Sequence, residues 1–388
     1  MEAVGIVCEF DPLHRGHEAL LRRAREGSEL PVVCAMSGNF TQRGGIACAD
    51  KLARAEMATR CGADLVVELP TPWAMATAEK FADGGVSLLA QCGVTQLYFG
   101  SECGDAAALE AVAEALLRPE IHGDIRREMA EGIPYAAARQ KALEMHIGAN
   151  AALLSQPNNT LAVEYLKAVR RRGLPISAAT VRRTDGGHHG GASASQIRRL
   201  LAAGEYDVAF ALMPPPAAEI LRREIRSGLA PTDPKRLETA MLCRLRLMEE
   251  ADLAPYDGGG EGLYRRVYRA VQKSRSVDEI MTLATTKRYP TARVRRMLWA
   301  AFLGLEQPMG DIPYVRVLAA TAAGRRLLRQ MRDAGVPVLT KPADVGLLGA
   351  QAQSLFAREA RRTDIFALAR PADLSPCGGD WRQTPRIV

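Results

Sequence analysis

No two cysteines in the sequence stand in a CxxC pair; the eight are scattered singly from Cys8 to Cys377. A disulfide framework or a thiolate zinc site needs clustered thiols, so these read as reduced, mostly buried side chains and point to the cytoplasm. Long apolar runs are missing as well. The best spanning stretch, Gly84 to Ser101, is uncharged but interrupted by Gln91, Gly93, Thr95 and Gln96. It reads as a helix end followed by a strand, and no membrane segment is expected. The opening MEAVGIVCEF lacks a basic n-region and runs straight into a strand-like pattern, which argues against a secretory signal. A Walker A lysine loop, a complete GxGxxG and any internal repeat are also absent, which sets aside the dinucleotide fingerprint. Histidine is scarce, at six residues.

What is present is a soluble, globular composition, 47% hydrophobic and 24% charged, in 388 residues, a length that favours two domains. Lys and Arg exceed Asp and Glu by 51 to 44, a net charge of +7. That excess suits a polyanionic partner without requiring one.

The first half alternates short β-branched runs with amphipathic stretches, the pattern of a doubly wound, Rossmann-like parallel sheet covered on both faces: an α/β fold. Strands are expected at Ala3 to Cys8, Val32 to Met36, Asp64 to Glu68, Gln96 to Phe99 and Ile176 to Val181. Helices are expected at Glu18 to Arg25, Lys51 to Cys61, Glu79 to Ala90, Ala106 to Leu117, Ile125 to His146, Leu161 to Arg172 and around Ser195 to Ala203. From Ala217 onward helical patterns with basic faces dominate, and Pro214 to Pro216 mark the expected boundary. The chain is therefore divided into an α/β unit at 1–212, a mostly helical unit at 217–374 and a loosely ordered tail at 375–388. Short strands near residues 314 and 337 are assigned to the second unit.

Two histidines stand where the first strand turns into the first helix, in VGIVCEFDPLHRGHEALL. Ligands of a doubly wound sheet sit at the carboxyl ends of the strands, near the switch in strand order. Gly16 permits close backbone approach, and the following helix offers unpaired N–H groups and a positive dipole end to an anion. His14 and His17 add donors at the same spot, a set suited to stabilising charge during displacement at a phosphoanhydride. A second cluster, TVRRTDGGHHGGASASQIRRLL, offers Arg182, Arg183, Ser193, Ser195 and Arg198 for phosphate from the other side, with simple N-capping as the alternative for the serines. His188 and His189 have no Cys or carboxylate at ligand spacing and are not read as a metal site.

The blocks VGIVCEFDPLHRGH, MSGNFTQRGGIACADKLARAEMA, GADLVVELP, LYFGSECGD, QPNNTLAVEYLKA, ASASQIR and TTKRYPTARVRRML together resemble the bacterial tRNA(Met) cytidine acetate ligase family, within the HxGH nucleotidyltransferases. The resemblance runs to about residue 305. It implies a ligase that activates acetate with ATP and Mg2+ as acetyl adenylate and then acetylates N4 of the wobble cytidine in elongator tRNA(Met). Catalysis is implied for His14 and His17. The ATP site implied is Val7, Cys8, Glu9, Phe10, Asp11, Pro12, Leu13, His14, Arg15, Gly16, His17, Glu18, Ala19 and Leu20, with Gly100, Asn158 and Arg183. Helix N-capping is the alternative role for Asn158. The family usually has Asn-Pro-Phe where this chain has Asp11, Pro12 and Leu13, so Asp11 either helps hold magnesium or weakens phosphate binding. The loop from Asp185 to Gly191 is shorter and richer in glycine than the family pattern. MSGNFTQRGG is expected to overhang the crevice as a lid or an acetate and cytidine contact, with Arg43 and Lys51 neutralising a carboxylate or phosphate.

Between Glu261 and Arg296 ten basic residues face three acids, with Tyr264, Tyr268 and Tyr289 interleaved. The stretch suits RNA phosphates and stacked bases; a solvated helix face is the alternative. Two other functions remain open at this level: a metabolic adenylyltransferase acting on a small phosphorylated substrate, and a non-enzymatic RNA-binding factor regulated by ATP. Oligomeric state is not specified by the sequence.

Overall fold

Alternating apolar runs build one mixed sheet, into which the last quarter of the chain returns. The structure, a computed structural model, describes residues 1–133, 135–183, 193–259, 262–305, 310–372 and 376–388. The strands are β1 (Ala3–Cys8), β2 (Val32–Ser37), β3 (Leu65–Leu69), β4 (Val94–Ser101), β5 (Ser177–Arg182), β6 (Val315–Ala320), β7 (Val338–Leu339) and β8 (Arg386–Ile387). Their order is β5-β4-β1-β2-β3-β6-β7, with β8 paired to β6. The first five strands are parallel, in registers such as Val4 with Val32, Val33 with Leu65 and Leu97 with Ala178. β6 runs antiparallel to β3.

The first-half helices are α1 (Arg15–Glu26), α2 (Lys51–Arg60), α3 (Thr71–Ala74), α4 (Ala78–Gln91), α5 (Ala106–Leu117), α6 (Pro119–Ala130), α7 (Tyr135–Ile147), α8 (Pro157–Arg171) and α9 (Ala194–Ala202). α10 (Tyr206–Ala211), α11 (Pro215–Arg226), α12 (Glu238–Arg246), α13 (Glu250–Leu253), α14 (Leu263–Lys273), α15 (Val277–Ala284), α16 (Thr291–Leu303), α17 (Ala322–Asp333) and α18 (Ala350–Ala367) follow. Because side chains alternate along a strand, Val4, Ile6, Cys34 and Met36 pack with α1, α2 and α9 to α11 on one face. Val33, Ala35, Leu65 and Val67 pack with α4, α5, α8, α17 and α18 on the other. A third core joins α12 to α16 and receives Phe40 and Met75 from the sheet unit.

The expected doubly wound α/β layout is present, and five strand positions lie within about two residues of expectation. Four expectations differ from the structure. The segments near 314 and 337 are strands, but they extend the first sheet instead of joining the helical unit. Pro214 is the N-cap of α11 and Pro215 its first residue, where a missing N–H costs nothing; α11 then packs on α2, so the prolines start a helix against the sheet unit. The tail is tied down: β8 pairs with β6, and Asp380 is fully buried. The stretch from Ile125 to His146 is two helices, α6 and α7. The loop from Asp185 to Gly191, with His188 and His189, lies outside the described residues. Among the described residues no helix is long and apolar enough to cross a membrane.

The tail is fixed by a buried four-charge cluster. Lys51 Nζ lies 2.7 Å from Glu68 and 2.8 Å from Asp380, and Arg316 Nη1 lies 3.0 Å from Glu68 and 2.7 Å from Asp380. Burial alone would raise the Asp380 carboxyl, but Lys51 and Arg316 outweigh it and hold it well below the usual carboxylate range. Asp380→Ala leaves two buried cations sharing the single carboxylate of Glu68, and we expect a loss of about 3–5 kcal/mol in urea unfolding; a loss below about 1 kcal/mol would show that the tail does not fasten the sheet.

Candidate active site

The strand order reverses beside β1: the chain runs outward through β2 and β3, then returns to β4 on the other side. A crevice must open at the carboxyl ends of β1 and β4, where the crossovers part. A cavity of about 320 Å3 lies there, lined by residues that include Val7, Cys8, Glu9, Phe10 and Asp11 from the end of β1, His17 and Leu20 from α1, and Phe99 and Gly100 from β4. Asn158 and Tyr165 of α8, Arg183 beyond β5, Ala194 and Arg198 of α9, and Gln42 and Arg43 of the loop after β2 complete it with Ala78 and Phe81 of α4.

The two histidines cap α1 reciprocally. His14 is the N-cap, and its Nδ1 accepts from the Gly16 N–H at 3.1 Å, while the His17 Nδ1 accepts from the His14 N–H at 3.3 Å. An accepting Nδ1 places the proton of the neutral ring on Nε2, so each ring carries a donor on its far side. The rings stack at 3.7 Å, and Phe10 meets His17 edge-on at 5.1 Å. His17 is held well below the usual imidazole range, by burial first and then by His14 and Arg183. It is a neutral donor at the positive end of a helix.

A buried guanidinium shapes the two loops above the strands. Arg54 of α2, wholly buried, donates to the carbonyls of Ala49 at 3.0 Å, Glu9 at 2.5 Å and Ser37 at 3.2 Å, and to that of Gly38. It thereby joins the ends of β1 and β2. Glu9 in turn accepts from the Gln42 N–H at 2.7 Å, which seats the second loop over the cavity. Burial pushes the Glu9 carboxyl up, with Asp11 adding to it. The Cys8 thiol is pushed well up by burial and by Cys34, so it stays a thiol and offers no nucleophile.

The expected ATP residues divide into two groups. Val7 to Asp11, His17, Leu20, Gly100, Asn158 and Arg183 line the cavity. Pro12, Leu13, His14, Arg15, Gly16, Glu18 and Ala19 are not among its lining: Leu13 is buried in the core beneath, His14 caps the helix, and Arg15 turns to the Ala211 carbonyl at 3.2 Å. Asp11 accepts from the Cys48 N–H at 2.6 Å and from Arg198 at 3.2 Å, so its carboxylate is engaged by the protein itself. Gln156, not Asn158, is the N-cap of α8, and Asn158 donates through Nδ2 to Glu102 at 2.7 Å. Ser193 does cap α9, and Ser195 accepts from Arg198 at 3.2 Å. Arg43 lines the cavity; Lys51 is spent on the buried charge cluster.

Sequence reasoning missed Arg54 and the apolar wall of Phe81, Phe99 and Tyr165. Nothing local distinguishes a tethering arginine inside a helix, and single aromatics read as core. Among the described residues no cluster of three or more His, Cys, Asp or Glu forms a metal cage. The arrangement suits an anion held by neutral and cationic donors beside an apolar slot.

The HIGH Nucleotidyl Transferase family matches residues 1–376. The tRNA(Met) cytidine acetate ligase of Syntrophomonas wolfei is 31% identical over 412 residues, covering 99% of each chain. That of Listeria monocytogenes is 32% identical over 402 residues, covering 100% of each. Among solved structures, Thermotoga maritima TmcAL bound with alpha-thio ATP superposes with a TM-score of 0.94 at 28% identity, covering 100% of both chains.

The capped geometry fixes a titration outcome. Because folding lowers the His17 value below the ordinary imidazole value of about 6.5, its contribution to stability is full above that pH and is lost as pH falls through the folded value. Imidazole nitrogen NMR is expected to show a neutral, Nε2-protonated His17 from pH 8 down to pH 6; a doubly protonated ring near pH 6.5 would contradict the burial described.

Proposed function

Since the chain belongs to the tRNA(Met) cytidine acetate ligase family of HIGH nucleotidyl transferases, we propose that it activates acetate with ATP and transfers the acetyl group to N4 of the wobble cytidine of elongator tRNA(Met). The observation that carries this is the cavity at the β1 and β4 ends, where His17 and the α1 terminus face Arg183 and Arg198 across one recess. The bound alpha-thio ATP of the Thermotoga maritima relative supports the same ligand class.

In this reading an acetate oxygen attacks the α-phosphorus of ATP, the bond to the bridging pyrophosphate oxygen breaks, and acetyl adenylate forms. The Nε2–H of neutral His17, the positive end of the α1 dipole and the arginines stabilise charge that builds on the phosphate oxygens, with no covalent step on the protein. Phe81, Phe99 and Tyr165 exclude water from the mixed anhydride. The cytidine amine then attacks the acetyl carbonyl, AMP departs, and the amine loses a proton. Both Asp11 oxygens are engaged and one Glu9 oxygen accepts from Gln42, so the second Glu9 oxygen would be the carboxylate atom left to hold a magnesium ion, which would supply charge neutralisation on the leaving group. Phosphate-borne magnesium needs few protein ligands, and that donor set fits.

The RNA partner is supported by a groove of about 580 Å3 lined by Arg265, Arg266, Arg269 and Lys273 of α14 with Tyr289. Arg288 and Arg293 lie over the Tyr289 ring at 5.7 and 5.4 Å. Eight free cysteines agree with a cytoplasmic site of action.

Purified protein should release pyrophosphate from ATP in an acetate-dependent way and form N4-acetylcytidine in elongator tRNA(Met). Turnover on a phosphorylated metabolite without RNA, or RNA binding without turnover, would replace this reading. His17→Ala should reduce acetate-dependent pyrophosphate release at least about a hundredfold while tRNA binding persists; equal loss of both points to misfolding.

A further inference from the structure

A third recess lies between the nucleotide cavity and the basic groove, and no role described above uses it. Its volume is about 560 Å3, and it is framed by the start of α4, the Tyr256–Gly259 turn and the inner face of α16. Four cations line it: Lys80, Arg171, Arg293 and Arg296. The acids around it are Glu79, Asp83 and Asp257, and each is paired: Glu79 with Arg171 at 2.8 Å, Asp83 with Arg172 at 2.6 Å, Asp257 with Arg293 at 3.0 Å.

Arg296 differs from its neighbours. It is partly buried, yet among the described residues it makes no side-chain hydrogen bond or ion pair. A half-buried guanidinium without a protein acceptor is open to an entering anion, which would complete its hydrogen bonds.

The walls of the recess touch those of both neighbours. Arg293 lines it and lies over Tyr289, which lines the basic groove. On the other side Gln42, a wall of the nucleotide cavity, donates to the Ala76 carbonyl at 3.3 Å, and Ala76 lines the recess. Gly44 of the same loop sits so close to α16 that a Cβ there would fall 2.9 Å from the Arg296 amide nitrogen. Groove, recess and nucleotide cavity therefore adjoin one another, with the Gln42 loop as the wall between the last two. A strand of unpaired RNA laid in the groove would pass over the recess to bring a base to the nucleotide cavity.

We propose that this recess binds the backbone phosphate next to the target cytidine, with Arg296 as its cationic contact. The inference rests on the ligase reading for the identity of the RNA, but the contact itself is readable without turnover. An anticodon stem-loop of tRNA(Met) carrying an unpaired loop is titrated against wild type, Arg296→Ala and Arg296→Lys by fluorescence anisotropy at several salt concentrations. Acetate-dependent ATP–pyrophosphate exchange is followed in parallel without RNA.

The expected result for Arg296→Ala is binding weakened about tenfold or more, with a salt slope shallower by about 0.7, the value for one single-strand phosphate. Partial recovery in Arg296→Lys and exchange close to wild type complete the pattern. Unchanged affinity and slope would overturn the proposal. Exchange falling in step with binding would overturn it too, assigning Arg296 to the support of the Gln42 loop. Competition by millimolar inorganic phosphate as effective as by the stem-loop would assign the recess to a free anion instead of RNA. Absence of exchange in the wild type would tell against the ligase reading alone, because the stem-loop titration still reports on Arg296.

Discussion

One buried guanidinium sets the shape of the reaction chamber. Carbonyls at the carboxyl ends of parallel strands point out of the sheet with no further strand to meet them, and they need donors if the chain is to turn there. Arg54 supplies those donors to Glu9, Ser37 and Gly38 at once. Lysine, with a point charge on a flexible stem, has no comparable planar fork. The β1 turn and the β2 loop are thus held at a fixed spacing, and the histidine cap, the Glu9 contact to Gln42 and the cavity floor all inherit it.

The same economy governs the link between sheet and helices. Phe40, on the loop after β2, inserts into the helical core beside Trp299 at 6.1 Å and Phe366 at 6.4 Å. Asn39, its neighbour, accepts from the Lys51 N–H at 2.9 Å and donates to Thr363 at 3.3 Å. A loop so anchored is a poor candidate for a free lid, since moving it would uncover apolar surface on both sides. It serves better as a fixed partition between the nucleotide and the incoming RNA.

Much of this was legible in the residues. The apolar runs at Val32–Val33 and Leu65–Val67, buried on both faces, gave the continuous signals typical of a parallel sheet. The crevice followed from topology, and His17, Gly100, Asn158 and Arg183 do line it. His14 and Leu13 did not separate from their neighbours, because a ligand contact, a helix cap and a core residue all fit the same stretch of sequence. Lys51 and Asp11 were misread for a related reason. A charge beside a site looks available until its partners, 17 and 329 residues away for Lys51, are brought to it by the fold. The return of β6 to the sheet was hidden because Val315–Ala320 is as apolar as any core strand and names no partner.

That return also has a consequence for synthesis. Residues 315–320 pair with β3, and Arg386 and Ile387 pair with them in turn. Until residues 315–320 have emerged from the ribosome, β3 presents a bare row of amide and carbonyl groups, the kind of margin along which nascent polypeptides stick to one another. The nucleotide chamber, lined by residues between Val7 and Arg198, opens at the other side of the sheet, so its walls are all synthesised while the β3 margin still waits for its partner.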